Sequence, residues 1–208
     1  YSLVAIKEAP VTLPLFPLNT VLFPGCMLDL QIFEARYLDM ISRCMKQSQG
    51  FGVVCIIDGA EVGEAAGQFA AIGCEALIRD FQQLPNGLLG IRVEGGRRLR
   101  VLRAQVLPDQ LTVAEVEWLA DEDEQPLLGE HADLAALLGA LSEHPMVASL
   151  GMQAEPVGQA SLANQLAYLL PLEAEQKLQL LALDQPLQRL DLLHELLEQL
   201  QGQAGATQ

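Results

Sequence analysis

The residues able to do chemistry are few and scattered. The three histidines, His131, His144 and His194, stand far from any cysteine and fall in the C-terminal half of the 208-residue chain. Each reads as a surface or helix-end residue, since no second ligand lies near it in sequence. The four cysteines (Cys26, Cys44, Cys55, Cys74) are 18, 11 and 19 residues apart. No two make the C-x-x-C spacing of a zinc site. They sit in apolar runs and read as small core residues of a reducing compartment, which gives a cytoplasmic address. No G-x-x-x-x-G-K-[ST], G-x-S-x-G or H-E-x-x-H occurs, so no phosphate loop, nucleophile elbow or zinc-protease helix is expected. A Ser–Lys pair would have to use Lys7, Lys46 or Lys177, and nothing in the sequence sets one beside a serine. Ser161 reads as a helix cap. The expectation is a chain without catalytic residues, metal or cofactor.

Two features suit binding better than catalysis. Arg92, Arg97, Arg98, Arg100 and Arg103 form one basic cluster. On neighbouring strands they make either a positive stripe for acidic peptide or RNA, with Arg98 and Arg100 central, or a solvated face whose long stems cover apolar surface. Stacking aromatics do not interleave with them, which counts against RNA. The other feature is "HPMVASLGMQAEPVG", where Met146, Val147, Leu150 and Met152 put adaptable apolar side chains in a connector. Such a surface repacks around varied partners.

Composition narrows the partners. Half the residues are hydrophobic, 19% are charged and the net charge is −15. Residues 1–103 balance ten acids with ten bases, while residues 104–208 set seventeen acids against Lys177 and Arg189. That field repels phosphate backbones and anionic membranes. No apolar run nears the ~20 residues that span a bilayer, and no basic-then-apolar signal peptide is visible.

The elements that must hold these residues change character along the chain. Up to about residue 119 the runs are short and strand-like. "VTLPLFPL", "MLDLQIF" and "FGVVCIID" are separated by turn residues, Asn86-Gly87 marks a hairpin, and Gly95-Gly96 reads as a second turn. One helix interrupts them, with Phe33, Tyr37, Met40, Ile41, Cys44 and Met45 on its apolar face, Asp39 and Arg43 outside, and Gly50 as its stop. "DEDEQP" (121–126) is charged and is expected not to pack. Beyond it the period is helical, with Asp184 as a cap and Pro186 in the first turn of the last helix. The expected division is 1–119 barrel, 120–127 linker, 128–202 helical bundle and 203–208 frayed tail.

The opening "LPLFPLNTVLFPGCMLDLQIFEARYLDMI" resembles the start of the Lon protease N-terminal, substrate-binding domain. The match runs through Pro17, Phe23, Pro24, Gly25, Phe33, Glu34, Arg36 and Tyr37, and later segments follow in order to about residue 200. The resemblance implies an α+β fold, a PUA-like β pseudo-barrel followed by a C-terminal helical bundle. It also implies a non-catalytic module that recognises unfolded protein or peptide segments, with a protease as a further partner. The motif residues are read as structural, with Glu34 and Arg36 fixing the helix to the barrel. An RNA-binding PUA-like module is the alternative, weakened by the acidic half that makes nucleic acid a poor partner.

Overall fold

The computed structural model describes residues 7–121, 123–153 and 155–206. Seven strands come first: β1 (Val11–Leu18), β2 (Met27–Ile32), β3 (Phe51–Asp58), β4 (Gln68–Phe69), β5 (Ile72–Gln83), β6 (Leu89–Val106) and β7 (Thr112–Trp118). Helix α1 (Ala35–Gln47) lies between β2 and β3. A 3-10 turn (Gly129–His131) then leads into α2 (Ala132–Ser142), α3 (Pro145–Ala148), α4 (Gln159–Leu169), α5 (Ala174–Ala182) and α6 (Pro186–Gly205). The architecture is a β pseudo-barrel followed by helices, as the sequence pattern implied.

The prolines of β1 mark how the barrel closes. Val11–Pro14 pair antiparallel with β7, and Leu15–Leu18 pair parallel with β3. Among the described residues each half of β1 therefore has a strand neighbour on one side only, which is where a residue without an N–H is tolerated. The order β1-β7-β6-β5-β3, joined by the β1–β3 pair, closes the ring. Residues 1–6, expected to begin the barrel segment, lie outside the described residues.

Gly95-Gly96 is not a turn. β6 runs unbroken through both glycines, with β5 along one side and β2, then β7, along the other. The glycines serve close approach instead. Gly25, at φ +78°, donates to the Gly95 carbonyl at 2.8 Å, and Gly95 donates to the Cys26 carbonyl at 2.8 Å. A Cβ at Gly95 would collide with the Phe23 carbonyl oxygen. The "FPG" turn thus lies directly on the middle of β6. The hairpin at Asn86-Gly87 forms as expected, with Gly87 at φ +82°.

Helix α1 buries Tyr37, Met40, Ile41 and Cys44. The Tyr37 ring stacks on Phe16 of β1 with centroids 4.0 Å apart. Phe33 departs from expectation and is 52% exposed. It precedes the helix, whose N-cap is Glu34 in extended conformation, so it does not share the helical face. Met45 is also exposed. The helix stops at Ser48, in the left-handed region at φ 50°, two residues before Gly50.

The helical part shares its core with the barrel. One cluster joins Phe23, Cys26 and Val93 to Leu134, Leu162, Leu166 and Leu190. The acidic segment between them packs, contrary to expectation. The Glu124 carboxylate accepts the N–H groups of Ala160 and Ser161 at 2.8 and 3.1 Å, and the Gln125 carbonyl accepts that of Gln159 at 2.8 Å. Ser161 is not the cap of α4, since Gly158 holds that position and Glu124 supplies the acceptor. The negative charge suits the positive helix end. α6 continues to Gly205, past the expected start of fraying, and residues 207–208 lie outside the described residues. No helix of the described residues is long and apolar enough to cross a membrane.

Candidate functional site

The arginine cluster resolves into ion pairs. Arg92 of β6 holds Asp29 of β2 at 2.7 Å, Arg97 holds Glu8 at 3.1 Å and lies 4.0 Å over the Trp118 ring, and Arg103 approaches Glu115 to 3.8 Å. Arg100 reaches Glu117 at 3.4 Å. Glu117 is held below its usual carboxyl range, first by its bond to Lys7. Carboxylates thus interleave with the cations, and a continuous positive stripe for RNA is not formed.

Arg98 is the exception. It is 0% exposed, and all five donors of its guanidinium find acceptors on the chain itself. Nε meets Asp121 at 2.9 Å, Nη1 meets the Leu181 and Leu183 carbonyls at 2.9 and 3.3 Å, and Nη2 meets the Ala120 carbonyl and Asp184 at 2.8 and 3.0 Å. Asp184 therefore serves Arg98 rather than capping α6, whose N-cap is Gln185. Arg189 of α6 completes the junction through Leu183 at 2.8 Å and Asn164 at 2.9 Å. Burial, then the neighbouring Arg98, lowers its pKa to about 10. Arg98 joins barrel to helices and presents nothing to a ligand in this arrangement.

The motif at the start of α1 makes a second tie. Arg36 donates to the Gln110 carbonyl at 2.8 Å, pairs with Glu34 at 3.2 Å and covers the Tyr37 ring at 4.6 Å. Glu34 and Arg36 so fasten α1 to the β6–β7 turn. Phe23 is fully buried, and Pro24 and Gly25 form the turn upon β6.

The buried titratable groups are held by the fold around them. Burial pushes the Cys26 and Cys74 thiols well above their ordinary value, and all four cysteines are unpaired and buried. Lys177, lowered by burial, donates to the Tyr168 carbonyl at 2.7 Å rather than to a serine. His131 accepts the Leu128 N–H and is buried at a helix start, not at the surface. His144 accepts the Met146 N–H and caps α3, an element the sequence pattern did not show.

That leaves the connector. Met146 is 75% exposed at the first turn of α3, whereas Val147, Leu150 and Met152 are half-buried, with Met152 against the core. Val157, which sequence reasoning passed over, is 73% exposed further along. Arg92 joins this connector to the barrel by donating to the Ser149 carbonyl at 3.0 Å while holding Asp29. The predicted residues thus separate. Met146, Val147, Leu150 and Met152 share one segment, Arg98 lies in the interior, and Arg100 sits on the β6–β7 face.

The ATP-dependent protease La (LON) substrate-binding domain model matches residues 12–199. The chain belongs to this family. A crystal structure titled Lon N-terminal domain protein, from Xanthomonas campestris, is 37% identical with a TM-score of 0.71, over 89% of this chain and 98% of that one. The N-terminal domain of the Mycobacterium avium complex Lon protease shares the fold at 17% identity and a TM-score of 0.61, covering 89% of this chain and 97% of that one. Lon proteases of Flavobacterium johnsoniae and Cytophaga hutchinsonii are each 28% identical, over 46% and 55% of this chain. The matched parts are 12% and 14% of those proteins' length. Within this Lon substrate-binding family member, Arg189 and Glu124 are structural residues that sequence reasoning missed, and Asp184, expected as a helix cap, is a partner of Arg98. Arg189 carried a signal: it is one of two bases after residue 103 and falls inside a leucine stripe.

Proposed function

We propose that the chain binds unfolded or extended protein segments without hydrolysing them, as an adaptor or regulator beside a protease in the cytoplasm. Membership of the LON substrate-binding domain family over residues 12–199 carries the reading. The apolar connector supports its location: Met146 and Val157 are held out from the surface between α2 and α4. A thioether on a flexible stem accommodates different partner side chains. The test is a titration of labelled unfolded casein against the wild-type chain and the Met146→Ser/Val157→Ser variant, with melts to show equal stability. Weaker binding by the variant is expected. Unaltered affinity overturns the connector as the surface of contact.

A further inference from the structure

β2 has one side without a strand. Met27–Ile32 pair with Glu94–Leu89 of β6 in unbroken register, and among the described residues no strand runs along the other side. Two hydrogen bonds give the direction of the unpaired groups. The Cys26 carbonyl accepts from Gly95 of β6, whereas the Met27 carbonyl accepts from the Tyr168 hydroxyl of α4 at 2.7 Å. Successive residues of an antiparallel strand turn their backbone groups to opposite sides. Asp29 and Gln31 therefore face outward with Met27. α4 covers Met27, whereas Asp29 and Gln31 are exposed.

Open edges are ordinarily blunted by a bulge, a proline or a lysine. β2, "MLDLQI", has none of these three, and its one edge charge, Asp29, is held by Arg92 of its neighbour β6. The open end of β5 shows the contrast: its register shifts between Ile78 and Asp80, and the Asp80 carboxylate takes the Phe81 N–H at 2.9 Å. A hollow runs along the β2 edge with Tyr37 in its lining and the exposed side chains of Phe33 and Val62 beside it. Asp29, Glu34 and Glu61 line the same hollow. Arg92 already holds Asp29 and Arg36 already holds Glu34, whereas Glu61 accepts the Asn19 N–H at 2.7 Å and has no ion pair among the described residues.

We propose that an extended polypeptide bearing Lys or Arg next to apolar residues adds to β2 as a further strand. Its backbone pairs with Asp29 and Gln31, its apolar side chains enter between Phe33 and Val62, and a cation meets the Glu61 carboxylate. In this mode the main chain supplies affinity and the flanking side chains supply selection. The inference rests on the reading of the chain as a peptide-recognition module, and adds where the segment lies and which charge it carries.

The test uses the full chain and a labelled peptide of about ten residues alternating Lys and Val, long enough for a strand, with a copy N-methylated throughout. The unmodified peptide binds, more weakly as salt rises, and the N-methylated copy does not. Gln31→Pro removes one outward N–H and leaves the β6 ladder intact, so affinity falls about five- to tenfold. Phe33→Ser/Val62→Ser, at two exposed side chains, lowers affinity with the melt unchanged, and keeps the test open should Gln31→Pro fail to fold. Equal binding of the two peptides, salt-independent binding, or wild-type affinity in a folded variant overturns the proposal. Binding of unfolded casein without the Lys–Val peptide overturns it and leaves the recognition reading standing; binding of neither overturns both.

Discussion

Arg98 of β6 and Arg189 of α6 donate to one acceptor, the Leu183 carbonyl oxygen, at 3.3 and 2.8 Å. Two like charges meet there because Asp121 and Asp184 flank them, with Asp121 2.9 Å from Arg98 and 3.9 Å from Arg189. The barrel and the helices are fastened through this point as well as through their common apolar core.

Arg98→Met should therefore cost about 3 kcal/mol, because it strands the buried Leu181 carbonyl and the partly buried Leu183 and Ala120 carbonyls together and removes the cation between Asp121 and Asp184. Arg98→Lys recovers only part of this, since an ammonium has three donors for five acceptors. Arg100→Ala, an exposed pair, should cost less than about 0.5 kcal/mol. Urea melts of the three variants check the order.

Gly95→Ala should cost about 3 kcal/mol or more, since the added methyl meets the Phe23 carbonyl, which is backbone and cannot move aside. Gly129→Ala, whose added methyl meets nothing within 4 Å, is the control and should be near neutral. Comparable losses at the two sites would show that the "FPG" turn does not press on β6.

Glu124→Ala should lower stability by about 1 kcal/mol through loss of the α4 cap. The change should appear as faster amide exchange at Ala160 and Ser161. Unchanged exchange at both amides would mean that the acidic segment does not hold the helix.

Ile41→Ala should cost about 2–5 kcal/mol and Arg43→Ala less than about 0.5 kcal/mol. Ile41 is buried on α1 and Arg43 is exposed. Equal shifts in denaturant midpoint would reverse the assigned faces.

The thiols set an alkaline limit. Burial raises the folded pKa of Cys26 and Cys74 above the ordinary value of 9.0. Above that value the unfolded chain loses thiol protons that the folded chain keeps, so their contribution is full below pH 9.0 and falls as pH rises past it. Urea midpoints at increasing alkaline pH should decline, and Cys74→Ala should make the decline shallower. An identical decline in that variant would assign it to other groups.

Much of the frame was legible in the sequence because local rules decided it. Asn86-Gly87 fixes the β5–β6 hairpin, and the spacing of Tyr37, Met40, Ile41 and Cys44 fixes the buried face of α1. What was illegible depends on contacts distant in sequence. Gly95-Gly96 has the composition of a turn, and only the return of the Phe23–Gly25 backbone shows why glycines stand inside a strand. Arg98 looks like its neighbours in the basic cluster, yet its partners at Leu181, Leu183 and Asp184 lie more than eighty residues away. Glu124 sits in a run whose charge suggested a solvated linker, and its task emerges only when the start of α4 is set against it. In the connector, the residue types were readable, whereas the separation of exposed Met146 from half-buried Met152 required the fold.

The central claim is recognition of unfolded chains without cleavage. Its most direct test is an equilibrium titration of labelled unfolded casein with the wild-type chain, with and without ATP, followed by electrophoresis of the same samples. The account predicts saturable binding, indifference to ATP and an intact substrate. Absence of binding, or fragments that accumulate with the protein, would contradict it.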